Sequence, residues 1–423
     1  MKNFIRSLLG LSKPGKPAPP TPPQAETSRM MDGMIDQLAA LTALEDARNT
    51  EAVVVRLQPQ IPLRDADHPR SWLGGGPAMA ETVAWPVVDG EATRFIGQIC
   101  CADLPADLWG GLGPRAGWLA LFIHPKRVVA LHLDELGPWR ACPGEPGEDL
   151  WLPYLARKGY PGVAPMRERP RWPVDLVAVR PGGPDPRTPG RSKIMREIYK
   201  RGHDVRDAEH RPFDRNSTLE MLAMIEGGIV ERLAAMTARE QKAATSEDER
   251  SKSAARRAPL EAALPTVRAI AERVRGTPTL TEDDIGAITA ELSAIAVPGK
   301  TDEPEPLTNH PAASWIWNFE ERRLALARHA YCADPDSLPE PTRAYCEAIW
   351  REMAGYEMAG MGHVPFGNID DFDPRSDVTL LELPSTDLIG WTFGDVNNLV
   401  VCIGKDDLAA GRFDRVRAMS SYY

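Results

Sequence analysis

The spacing of apolar residues changes twice along this chain. From about 51 to 180 they fall in short runs, "AVVVRLQ", "TRFIGQIC", "GWLALFI", "RVVALHL" and "DLVAVR", separated by proline-rich breaks. Runs of this length and composition predict short β-strands. Next the period becomes helical. Leu219, Leu222, Ile225, Ile229 and Leu233 form one stripe, and Ser217 followed by Glu220 reads as the capping box that starts it. "TEDDIGAITAELSAIA" reads as a second capped helix, and two more helical segments are expected near 312–331 and 341–358. Between them, "EQKAATSEDERSKSAARRA" (240–258) reads as an exposed helix or a connector, and "PGKTDEPEPLTNHP" (298–311) as a linker. Strands return after 363, with "DVTLLEL" and "NNLVVCIG" the clearest.

The two β-rich parts share an order. "GGP", "RFIGQICCADLP" and "GWLALFI" in the first answer to "HVPFG", "VTLLELPSTDLI" and "NNLVVCIGKDDL" in the second. Each has a Gly/Pro turn, a strand running into an Asp-Leu, a gap and a second apolar strand. This is the pattern of an internal duplication, or of two strand–turn units of like composition. The expected organisation is a tail and proline-rich linker (1–24), an amphipathic helix (25–50), a first β-rich half (51–185), a helical insertion (186–310), and helices with a second β-rich half (311–423). The fold class is α+β, with antiparallel sheet contributed by both ends of the chain.

Composition narrows the function only a little. The 423 residues are 43% hydrophobic and 26% charged, as in ordinary globular proteins. Charge is uneven: residues 301–423 hold 10 Lys and Arg against 21 Asp and Glu. That acidic end disfavours nucleic acid as a partner and suits a basic protein surface. The basic run "RTPGRSKIMREIYKR" (187–201) reads as a solvated face. Residues 2–13 place Phe4, Ile5, Leu8 and Leu9 on one helical face beside Lys2, Arg6 and Lys13. Such a segment contacts a partner or an anionic membrane, or frays as a terminus. Its apolar run is short and no small-residue cleavage site follows, so a leader peptide is not expected, and a cytoplasmic location is. The six cysteines, at 100, 101, 142, 332, 346 and 402, show no zinc spacing and read as reduced thiols.

Chemistry-bearing motifs are few. Gly74, Gly75 and Gly76 precede Pro77-Ala78-Met79, without the Gly-Lys-Ser/Thr that closes a phosphate loop. The stretch therefore reads as a structural turn. Asp370, Asp371, Asp373 and Asp377 cluster in "GNIDDFDPRSD", but not in an EF-hand register. His363 stands next to the second Gly/Pro turn without a nucleophile beside it in sequence. Neither a metal nor a cofactor is expected.

"WLGGGP", "AWP", "FIGQICCADLP" and "GWLALFI", together with the ending "LIGWTFGDVNNLVVCIGKDDLAAGRFDRVRAMSSYY", resemble the YwqG-like bacterial family, whose domain has no assigned function. The resemblance covers roughly 55–180 and 360–423. It departs at "VNN" and at the Thr-Phe after Trp391. It implies an α+β fold around antiparallel sheet and no particular activity. Its matching positions, Trp85, Gln98, His363, Trp391 and Asp395, would line a sheet-side groove in a binding or protein-interaction module. The other expectation is a hydrolase or metal-dependent enzyme using His363 with the 370–377 acids.

Overall fold

In the computed structural model the described residues are 52–143, 169–187, 203–241, 246–298, 303–309, 315–356, 358–365, 371–386, 388–393 and 397–420. The expected amino-terminal tail and helix, nearly all of the basic run, Asp370 and Asp395 lie outside them.

The strands are β1 (Val54–Pro59), β2 (Trp72–Leu73), β3 (Val87–Val88), β4 (Glu91–Ala92), β5 (Arg94–Cys100), β6 (Trp118–His124), β7 (Arg127–Leu133), β8 (Trp172–Val179), β9 (Ala296–Pro298), β10 (Pro304–Pro306), β11 (Ala359–Met361), β12 (Asp377–Leu383), β13 (Leu399–Gly404) and β14 (Arg417–Ser420). Ten of them make one antiparallel sheet in the order β14-β13-β12-β11-β1-β8-β2-β5-β6-β7. The sheet curls until its edges approach, and the His132 ring of β7 stacks on Phe413, just ahead of β14, at 5.9 Å. The result is nearly a barrel.

Alternation along the strands explains their continuous apolar runs. On β6, Leu119, Leu121 and Ile123 join the main core, whereas Ala120 and Phe122 enter a smaller core with Trp72, Met79, Trp85 and Phe95. Both faces are covered, so neither needs polar residues.

The helices are α1 (Arg215–Glu240), α2 (Glu247–Arg275), α3 (Glu282–Ser293), α4 (Trp315–Ala333), α5 (Glu340–Tyr356) and α6 (Lys405–Ala409). The first three bury their own apolar stripes together, including Leu222, Ile225, Val267, Ile270 and Leu292. From α4 and α5, Tyr331, Ile349 and Trp350 instead close the main core of the sheet.

Two sequence expectations are corrected. The cap of α1 is Asp214, not Ser217: the Asp214 carboxylate accepts the Ser217 amide at 2.7 Å, and the Ser217 hydroxyl accepts the Asp214 amide in return. Ser217 is thus the third residue of the helix, and Glu220 is occupied by Arg322 across α1 and α4, at 2.6 and 2.9 Å. The 298–311 linker contributes β10, which pairs with β9. Its prolines are tolerated because a two-stranded ribbon consists entirely of edges.

The repeated order in the sequence has a structural counterpart. About the central β1–β8 pair, β2-β5-β6-β7 on one side mirrors β11-β12-β13-β14 on the other. Both middle strands are bulged, at Ile96 in β5 and at Leu380 in β12. After β2, Gly74 donates its amide to Ile96 at 2.7 Å, and after β11, Gly362 donates to Thr379 at 2.9 Å. Both glycines have positive φ, +72° and +82°.

Candidate functional site

The glycine turn after β2 is a packing device. Gly74 and Gly75 have φ of +72° and +62°, and their amides are used within the fold, by Ile96 and Arg169. A Cβ at Gly74 would stand 2.2 Å from the Pro170 carbonyl oxygen, and one at Gly76 would stand 2.2 Å from that of Arg140. Only glycine lets two other segments come this close. Pro77 accepts the Arg140 amide at 2.9 Å, and Trp72 Nε1 donates to Gly76 at 3.0 Å. Gln98 completes the arrangement: its amide oxygen accepts the Ala78 N–H and its nitrogen donates to the Ala78 carbonyl, both at 3.1 Å. The turn therefore draws residues 138–140 and 169–171 to one place.

Those segments line a cleft of about 360 Å³ with Arg140, Arg169 and Arg171, joined by Arg94, Trp85, Trp139 and His329. No carboxylate is among its described lining residues. The Arg171 guanidinium lies 3.9 Å from the centroid of the Trp139 ring, a cation–π stack. Trp139 packs edge-on against buried Trp72 at 4.8 Å yet stays 45% exposed, which leaves an aromatic platform in the cleft. Arg140 sits over Trp85 at 5.8 Å.

Both guanidiniums are positioned by neutral carbonyls. Arg140 Nη1 donates to Val83 at 2.6 Å and Ala80 at 3.3 Å, and Arg171 Nη2 donates to Ala66 at 3.2 Å. Arg171 Nε is buried with no hydrogen-bond partner among the described residues. Burial lowers the Arg171 pKa from its ordinary value, against the attraction of Cys332 and Asp67, but a guanidinium keeps its proton in any protein setting. Burial, then the charges of Arg328 and Arg322, brings His329 down to about 4, so its imidazole is neutral near pH 7. The cleft can thus receive an anion on fixed donors and stack a flat group on Trp139.

Of the groove residues expected from sequence, Trp85 lines this cleft, with its Nε1 donating to Thr93 at 2.9 Å. Gln98 is fully buried and holds the turn instead. His363 is 2% exposed, and its Nε2 meets Glu382 Oε2 at 2.7 Å. Trp391 is buried and its backbone pairs with Thr386. These four do not form one open groove, because Gln98, His363 and Trp391 are all buried. Two of the described acids near 370–377 are engaged with cations: Arg375 holds Asp373, and Arg417 holds Asp377 at 2.7 Å. The histidine's carboxylate is Glu382, outside that loop. The arginines gave no sequence signal, being spread from 94 to 171 without a spacing motif.

Among the described residues, His203, His210 and Glu320 alone bring three metal-capable side chains together, with ligand atoms within 4.8 Å of one another.

The cationic, aromatic-floored cleft thus sits on a curled, nearly barrel-shaped antiparallel sheet. Residues 71–141, spanning the glycine turn, Trp85, Gln98 and Arg140, match the model of a family described as a domain of unknown function (DUF1963). No curated protein matches the chain.

Proposed function

We propose that this chain is a binding protein of the YwqG-like kind whose arginine-lined cleft takes a small anionic ligand, a carboxylate or phosphate carried on a flat, apolar group. The observation behind this reading is the pairing of Arg140 and Arg171 on carbonyl supports, with a buried Arg171 Nε that has no acceptor among the described residues, beside the exposed Trp139 ring. A two-pronged guanidinium matches the planar oxygens of either anion, and charge-assisted bonds of this sort are about twice as strong as neutral ones. Cys142, Cys332 and His329 also line the cleft, and burial pushes the Cys332 thiol pKa up, so the reading favoured here is one of recognition.

A thermal-shift panel tests it. Phenyl phosphate and benzoate should raise the unfolding midpoint by several degrees, inorganic phosphate should raise it less, and benzylamine should leave it unchanged. Arg171→Gln should remove the anion response. A midpoint indifferent to every anion, or a response that Arg171→Gln leaves intact, would refute the reading.

A further inference from the structure

His203 and His210 bracket a tightly wound segment. Asp204 accepts the Asp207 amide at 2.9 Å, and Asp207 accepts those of His210 and Arg211 at 3.0 Å each. These turns fold the chain back until the two imidazoles meet edge to face, 5.0 Å between centroids and 79° between planes. Val205 is buried in the helical core, and Thr342 of α5 donates to the Ala208 carbonyl at 3.3 Å, fixing the loop on the helices. Glu320 of α4 faces both rings. Its Oε1 is 3.7 Å from His203 Nδ1 and 3.8 Å from His210 Nδ1. All three side chains are at most 8% exposed.

From this geometry we infer that His203, His210 and Glu320 form a site for a divalent transition metal, with Zn²⁺ or Co²⁺ the ions it suits. Imidazole nitrogens and a carboxylate oxygen are the donors such borderline ions prefer. Two tetrahedral zinc ligands at about 2.1 Å lie roughly 3.4 Å apart. Each imidazole is within a few tenths of an ångström of that distance from Glu320, and the widest pair of ligand atoms, within 4.8 Å, closes by about an ångström or more as the side chains turn onto the ion.

The surroundings have the form of an outer shell. Arg323 grips the same carboxylate with Nε at 2.8 Å and Nη2 at 2.7 Å, which orients it and leaves a lone pair of Oε1 facing the histidines. The Tyr345 ring packs on His210 at 4.7 Å between centroids. Its buried hydroxyl lies beside Glu320 and is a candidate to meet the metal or a water on it. Arg323 also draws charge from Glu320, so the site binds more weakly than a histidine pair with an unshared carboxylate would.

The test uses the full, untagged chain, stripped with chelator and then titrated with Co²⁺ and Zn²⁺ alone. About one equivalent of Co²⁺ should bind, giving the visible bands of a low-symmetry site, and Zn²⁺ should displace it. His203→Ala and His210→Ala should each weaken binding at least tenfold, while His68→Ala should not. A stripped chain that takes up no Co²⁺, or a spectrum that survives both substitutions, would overturn the assignment. Zinc X-ray absorption on the unaltered chain needs no variant to fold: two imidazole nitrogens near 2.0–2.1 Å support the site, and a sulfur-dominated shell refutes it.

Discussion

The two halves of the sheet place different residues at one position. Counted from the bulge, Gln98 in β5 and Glu382 in β12 are equivalent, and both are buried. Gln98 is neutral and clamps the backbone of Ala78 with a donor and an acceptor. Glu382 is an acid and binds side chains, accepting from Asn398 Nδ2 at 2.6 Å and meeting His363 at 2.7 Å. The first clamp fixes a glycine turn that positions guanidiniums in a cleft. The second ties together buried side chains. The same position, two residues past the bulge, therefore holds a backbone turn in one half and a side-chain network in the other.

The largest effect that would sharpen this contrast is expected at Glu382. Glu382→Ala removes the buried carboxylate that His363 and Asn398 share and should cost about 3–5 kcal/mol, read from urea unfolding. Gln98→Ala leaves the amide and carbonyl of Ala78 without these partners and should cost less, about 1–3 kcal/mol. It should also abolish anion binding, which Glu382→Ala should spare in the fraction still folded. Equal costs with intact binding in both would break the comparison.

The turns give a second, smaller contrast. Gly74→Ala drives a methyl into the Pro170 carbonyl at 2.2 Å, whereas at Gly362 the nearest atom, at 2.6 Å, is the end of the flexible Leu108 side chain. Both substitutions carry positive-φ strain of about 1 kcal/mol, and Gly74→Ala should exceed Gly362→Ala by a further 1 kcal/mol or so, because backbone yields less than a side chain. A chevron or urea series on the two variants checks the order.

The smallest effect is one of pH. His329 titrates near 4 in the fold, below the ordinary histidine value of 6.5. As pH falls through 6.5 the unfolded chain takes up a proton that the folded chain refuses until about 4. His329 therefore makes stability decline between pH 6.5 and 4 and adds no further slope below that. His329→Gln should flatten the profile in that window, and an unchanged slope would contradict the assignment.

Much of the fold was legible because its strands are local events: β1, β5, β6, β7, β8, β12 and β13 are all apolar runs bounded by turn residues. The helix cap was misplaced at Ser217 because Asp214, outside the apolar stripe, starts the helix three residues earlier and accepts the Ser217 amide. The β9–β10 ribbon was missed because Pro298, Pro304 and Pro306 read as linker. The glycine turn showed that a backbone constraint existed, but not which segments it admitted. Arg140 and Arg171 come together only through contacts that cross dozens of residues, and their chemistry left no periodic trace. The same holds for His210 and Glu320, which lie 110 positions apart and meet through helix packing.

The most direct measurement of the central claim is calorimetric titration of phenyl phosphate into the full chain and into Arg140→Ala/Arg171→Ala at two salt concentrations. The account predicts saturable binding near one equivalent, weaker at the higher salt and at least tenfold weaker in the double variant. Binding of equal strength in both proteins, or none in either, would contradict an anion site in this cleft.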